Sequence, residues 1–386
     1  MTQLSTRRYP PPLPLALDLG AELPISLESW ELATPALLID LDVMQKNIAS
    51  MASLTARRGL RLRPHVKSHK STYIVDQQLA AGASGVCVAT VGEAEVMWGH
   101  GIADILVAYP ILGERKLRRL LPLAEAGDLT LTTDSLEVAE GYSRLAGWAG
   151  RDIPILLDID SGMGRTGVLP SEAATIGPKI SALAGLDFRG ILTHAGHAHD
   201  AKDQSSIELV ARQEVRAMAE AYEGLEQGGL EVSVVSAGST ITTPYLSAED
   251  GITEVRPGTY IFNDLRTLGR YACTPDSIAV SMLATVVSRG PGRATIDAGS
   301  KSLTSSQTVE HGFGHLLGHP EAYFERLSEE HGVLAVGTVD ELSVGDRVQV
   351  VPIHVCVWMD LQSEVYGTSQ GEVVKRISVD GMRRSL

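Results

Sequence analysis

Short apolar runs, each followed by a stretch of helical periodicity, recur along the first two thirds of the chain. Strand patterns fall near 62–66, 85–89, 104–108, 128–132, 153–159, 187–193, 231–236 and 253–256. Helical spacing fills most of the gaps, for example over 135–149 and 207–227. Before this series, 36–40 reads as a short strand, and Asp42 as the cap of a helix carrying Met44, Ile48, Met51 and Leu54 on one face. Eight strands with intervening helices predict a (β/α)8 TIM-type barrel. A doubly wound sheet would have fewer strands and a phosphate fingerprint near its start. From about residue 278 the pattern changes to short strands at 278–287, 294–297, 347–351 and 373–379, with one helical pattern at 321–329. We therefore expect three parts: an N-terminal segment at 1–40 that packs on the second domain, a barrel at 41–268, and a C-terminal β-rich domain at 269–386.

Composition narrows the function classes. At 386 residues and 44% hydrophobic content the chain can bury a sizeable core. A formal charge of −14 argues against nucleic acid and anionic membranes as partners. No apolar run reaches the ~18 residues a membrane helix needs, and Pro10, Pro11, Pro12, Pro14 and Asp18 interrupt the apolar stretch after Arg7 and Arg8, unlike a secretory signal. Cys87, Cys273 and Cys356 are too scattered for a disulfide framework, so a cytoplasmic location is expected.

The candidate chemistry begins at Arg61-Leu62-Arg63-Pro64-His65-Val66-Lys67-Ser68-His69-Lys70. Period-2 geometry puts Arg61, Arg63, His65 and Lys67 on one face of a strand. Facing a barrel interior, Lys67 would be desolvated among cations, which lowers an amine's pKa and suits a Schiff-base nucleophile. The plain alternative is a solvated edge strand. Further along, His194, His197 and His199 follow the sixth strand, and one of them could contact a ligand or a metal. Ser236-Ala237-Gly238-Ser239-Thr240 after the seventh reads either as a phosphate cradle or as a tight turn, and the Tyr260 hydroxyl after the eighth could add a phosphate hydrogen bond. Gly162-Met163-Gly164-Arg165-Thr166-Gly167 satisfies the dinucleotide fingerprint, but mid-chain, with Asp158 and Asp160 placed to repel a pyrophosphate. A loop holding Arg165 over the barrel mouth is the better reading. In the last domain, His354 and Cys356 are expected two apart on a strand, sharing one face, which suits a zinc ion with open positions.

Taken in order, the segments 34–42, 63–70, 160–167, 236–240, 254–260, 329–332 and 352–356 resemble those of the D-threonine aldolase and D-serine dehydratase family, over about 34–380. The family is one of pyridoxal 5'-phosphate enzymes with an alanine-racemase-like fold. The resemblance implies Lys67 as the Schiff-base lysine, Arg165 near the pyridine nitrogen, and His194, Gly238, Ser239 and Tyr260 around the cofactor. It implies His354 and Cys356 as the metal pair, with His354 also catalytic, Zn2+ favoured and Mn2+ or Mg2+ as alternatives. It also implies a homodimer acting on a β-hydroxy D-amino acid, by aldol cleavage or by elimination. Ile353, the Trp358-Met359-Asp360 continuation and His199 depart from the family pattern. Two other readings are an amino-acid racemase of the same fold and a non-catalytic pyridoxal phosphate-binding protein.

Overall fold

The computed structural model describes residues 23–308, 311–335 and 341–385; residues 1–22 of the expected N-terminal segment lie outside them. Strands β1 (Ile25–Ser26) and β2 (Ala36–Asp40) come first. Then β3 (Arg61–Leu62), β4 (Val86–Val88), β5 (Ile105–Val107), β6 (Leu129–Thr133), β7 (Ile153–Asp158), β8 (Leu186–Leu192), β9 (Val234–Ala237) and β10 (Glu254–Val255) alternate with helices. These eight form one parallel sheet in the order β3-β10-β9-β8-β7-β6-β5-β4. Its two ends meet, because the Ser84 amide donates to the Leu62 carbonyl (2.9 Å), the Cys87 amide donates to the Pro64 carbonyl (2.8 Å), and His65 bridges Cys87. The expected barrel is present. Runs such as Val86-Cys87-Val88 and Ile105-Leu106-Val107 are apolar throughout because both faces of each strand are covered.

The helix Leu41–Arg57 buries Met44, Ile48, Met51 and Thr55. Its cap is Asp40, whose carboxylate accepts from the Val43 amide (2.9 Å); Asp42, read as the cap from sequence, sits in the first turn, where its negative charge is favoured by the positive end of the helix dipole. The basic row is also divided. Arg63 is buried at the barrel base, bonded to Asp104 (2.8 Å) and Glu254 (2.8 Å), and the exposed Arg61 faces Glu254 (3.6 Å). After Pro64 the chain leaves the strand for a 3-10 turn at Val66–Ser68. Lys67 is therefore presented by a turn at the opposite end from Arg61, not by a continuous strand face.

The second domain comprises β11 (Val280–Gly290), β12 (Arg293–Ile296), β13 (Gly314–Leu316), β14 (Phe324–Leu327), β15 (Gly332–Ala335), β16 (Arg347–Pro352), β17 (Glu364–Ser369) and β18 (Glu372–Ser378). Among the described residues these join β1 and β2 in a ten-stranded sheet, β2 lying between β17 and β11. The helical pattern at 321–329 is overridden: β14 pairs antiparallel with β15 and buries Phe324 opposite Leu334, a cross-strand gain that outweighs local helix propensity. No helix among the described residues is long and apolar enough to cross a membrane.

One buried group makes the fold sensitive to acid. His69 is fully buried, and burial pushes its pKa down to about 3 despite help from Gln78 and the Ser71 amide. Above about pH 6.5 the imidazole is neutral in both folded and unfolded chains and contributes no pH dependence. Below that, only the unfolded chain takes up the proton, so stability falls by about 1.4 kcal/mol per pH unit, roughly 2 kcal/mol by pH 5. Urea midpoints of wild type and His69→Gln between pH 8 and pH 5 should converge as the pH drops. Parallel curves would refute this.

Candidate active site at the barrel mouth

Parallel barrels collect chemistry at the carboxyl ends of their strands. Here that end opens into a cavity of about 510 Å3 lined by Lys67, Arg165, His194, Ser239, His354 and Cys356, with His199, Arg256 and Arg266. An overlapping lobe of about 230 Å3 runs down to Asp158 and shares Lys67, Arg165 and His194. A more apolar cavity of about 500 Å3, beside Leu38, Leu265 and Val280, contains none of the first six.

Lys67 is held by its neighbours rather than by its own side chain. The Ser68 hydroxyl donates to the Gly258 carbonyl (2.9 Å), and the helix Val355–Leu361 packs on the Val66–Ser68 turn. Among the described residues the amine has no ion-pair partner, leaving it available in the cavity. His65 and His194 beside it are held neutral, well below the usual imidazole range. In both cases burial is the main cause and the Lys67 charge the next.

The expected phosphate cradle is built differently from the sequence reading. The Gly238 amide donates to the buried Glu214 carboxylate (2.9 Å), and the Ser239 amide donates to the Thr242 hydroxyl (2.9 Å), so neither is free for an anion. Gly238 has a φ of +78°, and a Cβ there would lie 2.9 Å from the Thr243 hydroxyl; the residue serves the turn. The Tyr260 hydroxyl is buried and accepts from Gln78 (2.9 Å), away from the cavity, because Tyr260 packs inward from its own short turn. The donors at this end are the amides of Thr240, Gly258 and Thr259, which make no hydrogen bond among the described residues, and the Ser239 hydroxyl, whose oxygen accepts from the Ile241 (3.2 Å) and Thr242 (3.3 Å) amides. Three unengaged amides beside a hydroxyl suit a phosphate group.

The loop carrying Arg165 is tied down by Asp160, whose carboxylate accepts from the amides of Gly162 (2.9 Å) and Gly164 (3.1 Å), and by the Thr166 hydroxyl on Asp158 (2.7 Å). No helix starts there; the next, Ala173–Ser181, begins after a 3-10 turn. The loop projects Arg165 over the mouth and does not wrap a pyrophosphate. Arg256 is engaged elsewhere, donating to the Ser236 hydroxyl (2.5 Å) and the Thr193 carbonyl.

His354 and Cys356 do come together, but not on a strand. β16 ends at Pro352, His354 is the N-cap of the helix Val355–Leu361, and Cys356 lies in its first turn. Asp264 forces this. Its fully buried carboxylate accepts from the Val355 amide (3.1 Å) and lies 3.3 Å from His354 Nδ1, capping the helix from a distant segment. The apolar alternation around 350–357 contains no signal for that contact. Burial disfavours the His354 imidazolium, yet hydrogen bonds to Asp264 and Cys356 raise its pKa to about 10. Burial likewise works against the Cys356 thiolate, and His354 overcomes it, holding the thiol below its usual range. The donor set fits one divalent ion: an imidazole oriented through Nδ1 by Asp264, a thiol predisposed to ionise, and no third His, Cys, Asp or Glu placed with both of them to complete a metal-binding group among the described residues, which leaves positions open. Asp264, Glu214 and Arg266 were not singled out from sequence, since an isolated acid or base acquires meaning only when the fold supplies its partner.

Residues 39–265 match the family model "Alanine racemase, N-terminal domain", and residues 279–368 match "Putative serine dehydratase domain". The D-threo-3-hydroxyaspartate dehydratase of Delftia sp. (strain HT23) is 35% identical over 351 residues, covering 84% of this chain and 91% of the relative. This chain belongs to the D-threonine aldolase and D-serine dehydratase family. The D-threonine aldolase of Arthrobacter sp is 30% identical over 362 residues, covering 91% of this chain and 93% of that enzyme. The solved Delftia dehydratase superposes with a TM-score of 0.86 at 32% identity, covering 92% of this chain and 98% of the other. A cysteine-to-alanine mutant of that dehydratase has been solved in the metal-free form. Family and fold are as the sequence motifs implied, and these relatives are lyases of the expected kind.

Proposed function

We propose that this protein is a pyridoxal phosphate- and metal-dependent dehydratase of β-hydroxy D-amino acids, yielding a keto acid and ammonia. The observation that carries the reading is the His354–Cys356 pair in the same cavity as the unpaired Lys67 amine. Bound pyridoxal phosphate supplies an electron sink at Cα, and a bound divalent ion supplies a Lewis acid for the β-hydroxyl. Lys67 is the amine that would hold the coenzyme and, once exchanged for substrate, the base that takes the Cα proton at Nζ. Arg165 and His194 would flank the ring, with Ser239 and the Thr240, Gly258 and Thr259 amides toward the phosphate. His354 Nε2 and Cys356 Sγ would hold the ion, and Asp264 keeps the imidazole in the required orientation. Thiolate in the donor set favours zinc over Mn2+ or Mg2+. Loss of the Cα proton and of hydroxide releases an enamine that water converts to keto acid and ammonia.

On this reading 41–268 is the coenzyme barrel, 269–386 the metal-bearing domain with 1–40 packed on it, and the protein a homodimer, as the family resemblance suggests. Three free cysteines, Cys87 among them fully buried, are in keeping with the cytoplasm. A racemase would need a second acid-base group opposite Lys67, where this cavity has the metal-type pair. The test is product analysis by mass spectrometry on coenzyme-loaded protein given D-serine or D-threonine, with and without a chelator. We expect keto acid and ammonia, lost on chelation. Glycine plus acetaldehyde from D-threonine would instead make the protein an aldolase, and metal-independent inversion of alanine would make it a racemase.

A further inference from the structure

Lys70 is the second lysine of the basic motif, and it lines the mouth cavity together with Glu93, Cys356 and Asp360. Its backbone and its side chain reach different parts of the site. The amide donates to the Val66 carbonyl (2.7 Å), closing the turn that presents Lys67. The ammonium lies 2.6 Å from Asp360 of the helix Val355–Leu361 and 3.2 Å from Glu93 of the helix Val91–Gly99. Glu93 is fixed in turn, accepting from the Ala89 amide (2.7 Å). Lys70 and Glu93 are buried and Asp360 half-buried, so water screens these charges weakly and loss of one partner strands another. Burial opposes the ammonium, but Asp360 and Glu93 outweigh it and raise its pKa, which keeps Lys70 a cation and leaves Lys67 as the amine for the coenzyme. The end of the described chain wraps the same contact: the Gly381 amide donates to the Lys70 carbonyl (2.8 Å) and the Arg383 amide to the Asp360 carboxylate (2.9 Å). Lys70 also holds a left-handed backbone, φ +54°, which a residue with a Cβ adopts only when its surroundings impose it.

We infer that Lys70 is a positioning residue: through Asp360 it sets where His354 and Cys356 stand relative to Lys67, and so joins the two halves of the lyase site proposed above, on which this inference rests. Asp360 follows Cys356 by four residues, one turn further along the same helix face. The helix is thereby tied at both ends to residues that precede the second domain, Asp264 capping its start and Lys70 holding its last turn. Lys70 is the point where that tie meets the turn of the Schiff-base lysine. A displacement of about 1 Å between reacting groups can cost ~100-fold in rate, so a contact that fixes this separation acts on turnover without touching substrate.

The experiment uses coenzyme-loaded protein: wild type, Asp360→Asn, Lys70→Met, their double variant and Lys70→Arg. Asp360→Asn is the mildest, since it keeps an acceptor for the Arg383 amide and removes only the charge facing Lys70, so it should fold as wild type does. With D-serine or D-threonine we expect kcat to fall ~10-fold in Asp360→Asn and up to ~100-fold in Lys70→Met, chiefly in kcat, with the coenzyme absorbance retained. The double variant should be no slower than Lys70→Met, because both changes break one contact, and Lys70→Arg should recover part of the loss. Two readouts need no turnover. Zinc affinity, from competition with a chelating dye, should weaken ~10-fold in Asp360→Asn and Lys70→Met, and hydrogen exchange should rise in the peptide covering 354–361 while the barrel strands keep their protection. Wild-type kcat and zinc affinity in both single variants, additive losses in the double, or losses that only follow a lowered urea midpoint of the whole fold would overturn the inference. If wild type turned over neither substrate, the lyase reading would fall, and zinc competition with hydrogen exchange would still decide whether Lys70 positions the helix of His354 and Cys356.

Discussion

Exchange of Lys67 for alanine is expected to remove the coenzyme's bound-form absorbance and to lower turnover by ~1,000-fold or more, the scale on which a positioned acid-base group contributes. Folding should survive the change. The Val66–Ser68 turn is held by the Ser68 hydroxyl on Gly258 and by the helix Val355–Leu361, not by the lysine side chain, so urea midpoints should stay close to wild type. Lys67→Arg separates charge from chemistry: it keeps a cation in the cavity, but a guanidinium cannot be deprotonated to act as nucleophile or base, and this variant should be equally inactive. In wild type, borohydride reduction should leave the coenzyme's mass on the peptide containing Lys67. An alanine variant within tenfold of wild-type turnover would remove Lys67 from the mechanism.

Exchange of His354 for alanine should deplete bound metal and lower turnover by a comparable factor while leaving the coenzyme absorbance in place, because the Lys67 turn does not depend on the imidazole. The helix cap should persist, since Asp264 retains the Val355 and Thr267 amides. Cys356 alone supplies one donor, too few to hold a divalent ion against buffer. Metal analysis of the purified variant, and wild type stripped by chelator, should show the same loss; added zinc should restore the stripped wild type but not the variant. Full metal occupancy and activity in His354→Ala would place the metal elsewhere in the protein.

The acid sensitivity expected from His69 rests on a residue that does not reveal its part by its type or spacing. His69 belongs to a motif read for its chemistry, and only complete burial against Gln78 and Ser71 shows that it stays neutral.

The sequence alone determined the eight strand positions, the change to β structure after residue 278, and the order of motifs that places the chain in its family. These are legible because burial of both strand faces writes continuous apolar runs, and because residues near a reacting centre fall at fixed intervals along one chain. What only the tertiary structure decided are contacts between distant segments. Asp264 turns 354–356 from strand into a capped helix, Glu214 occupies the Gly238 amide, and Gln78 draws the Tyr260 hydroxyl into the core. In each case a buried polar group must find a partner wherever the fold brings one near, and that requirement leaves no period or spacing in the sequence.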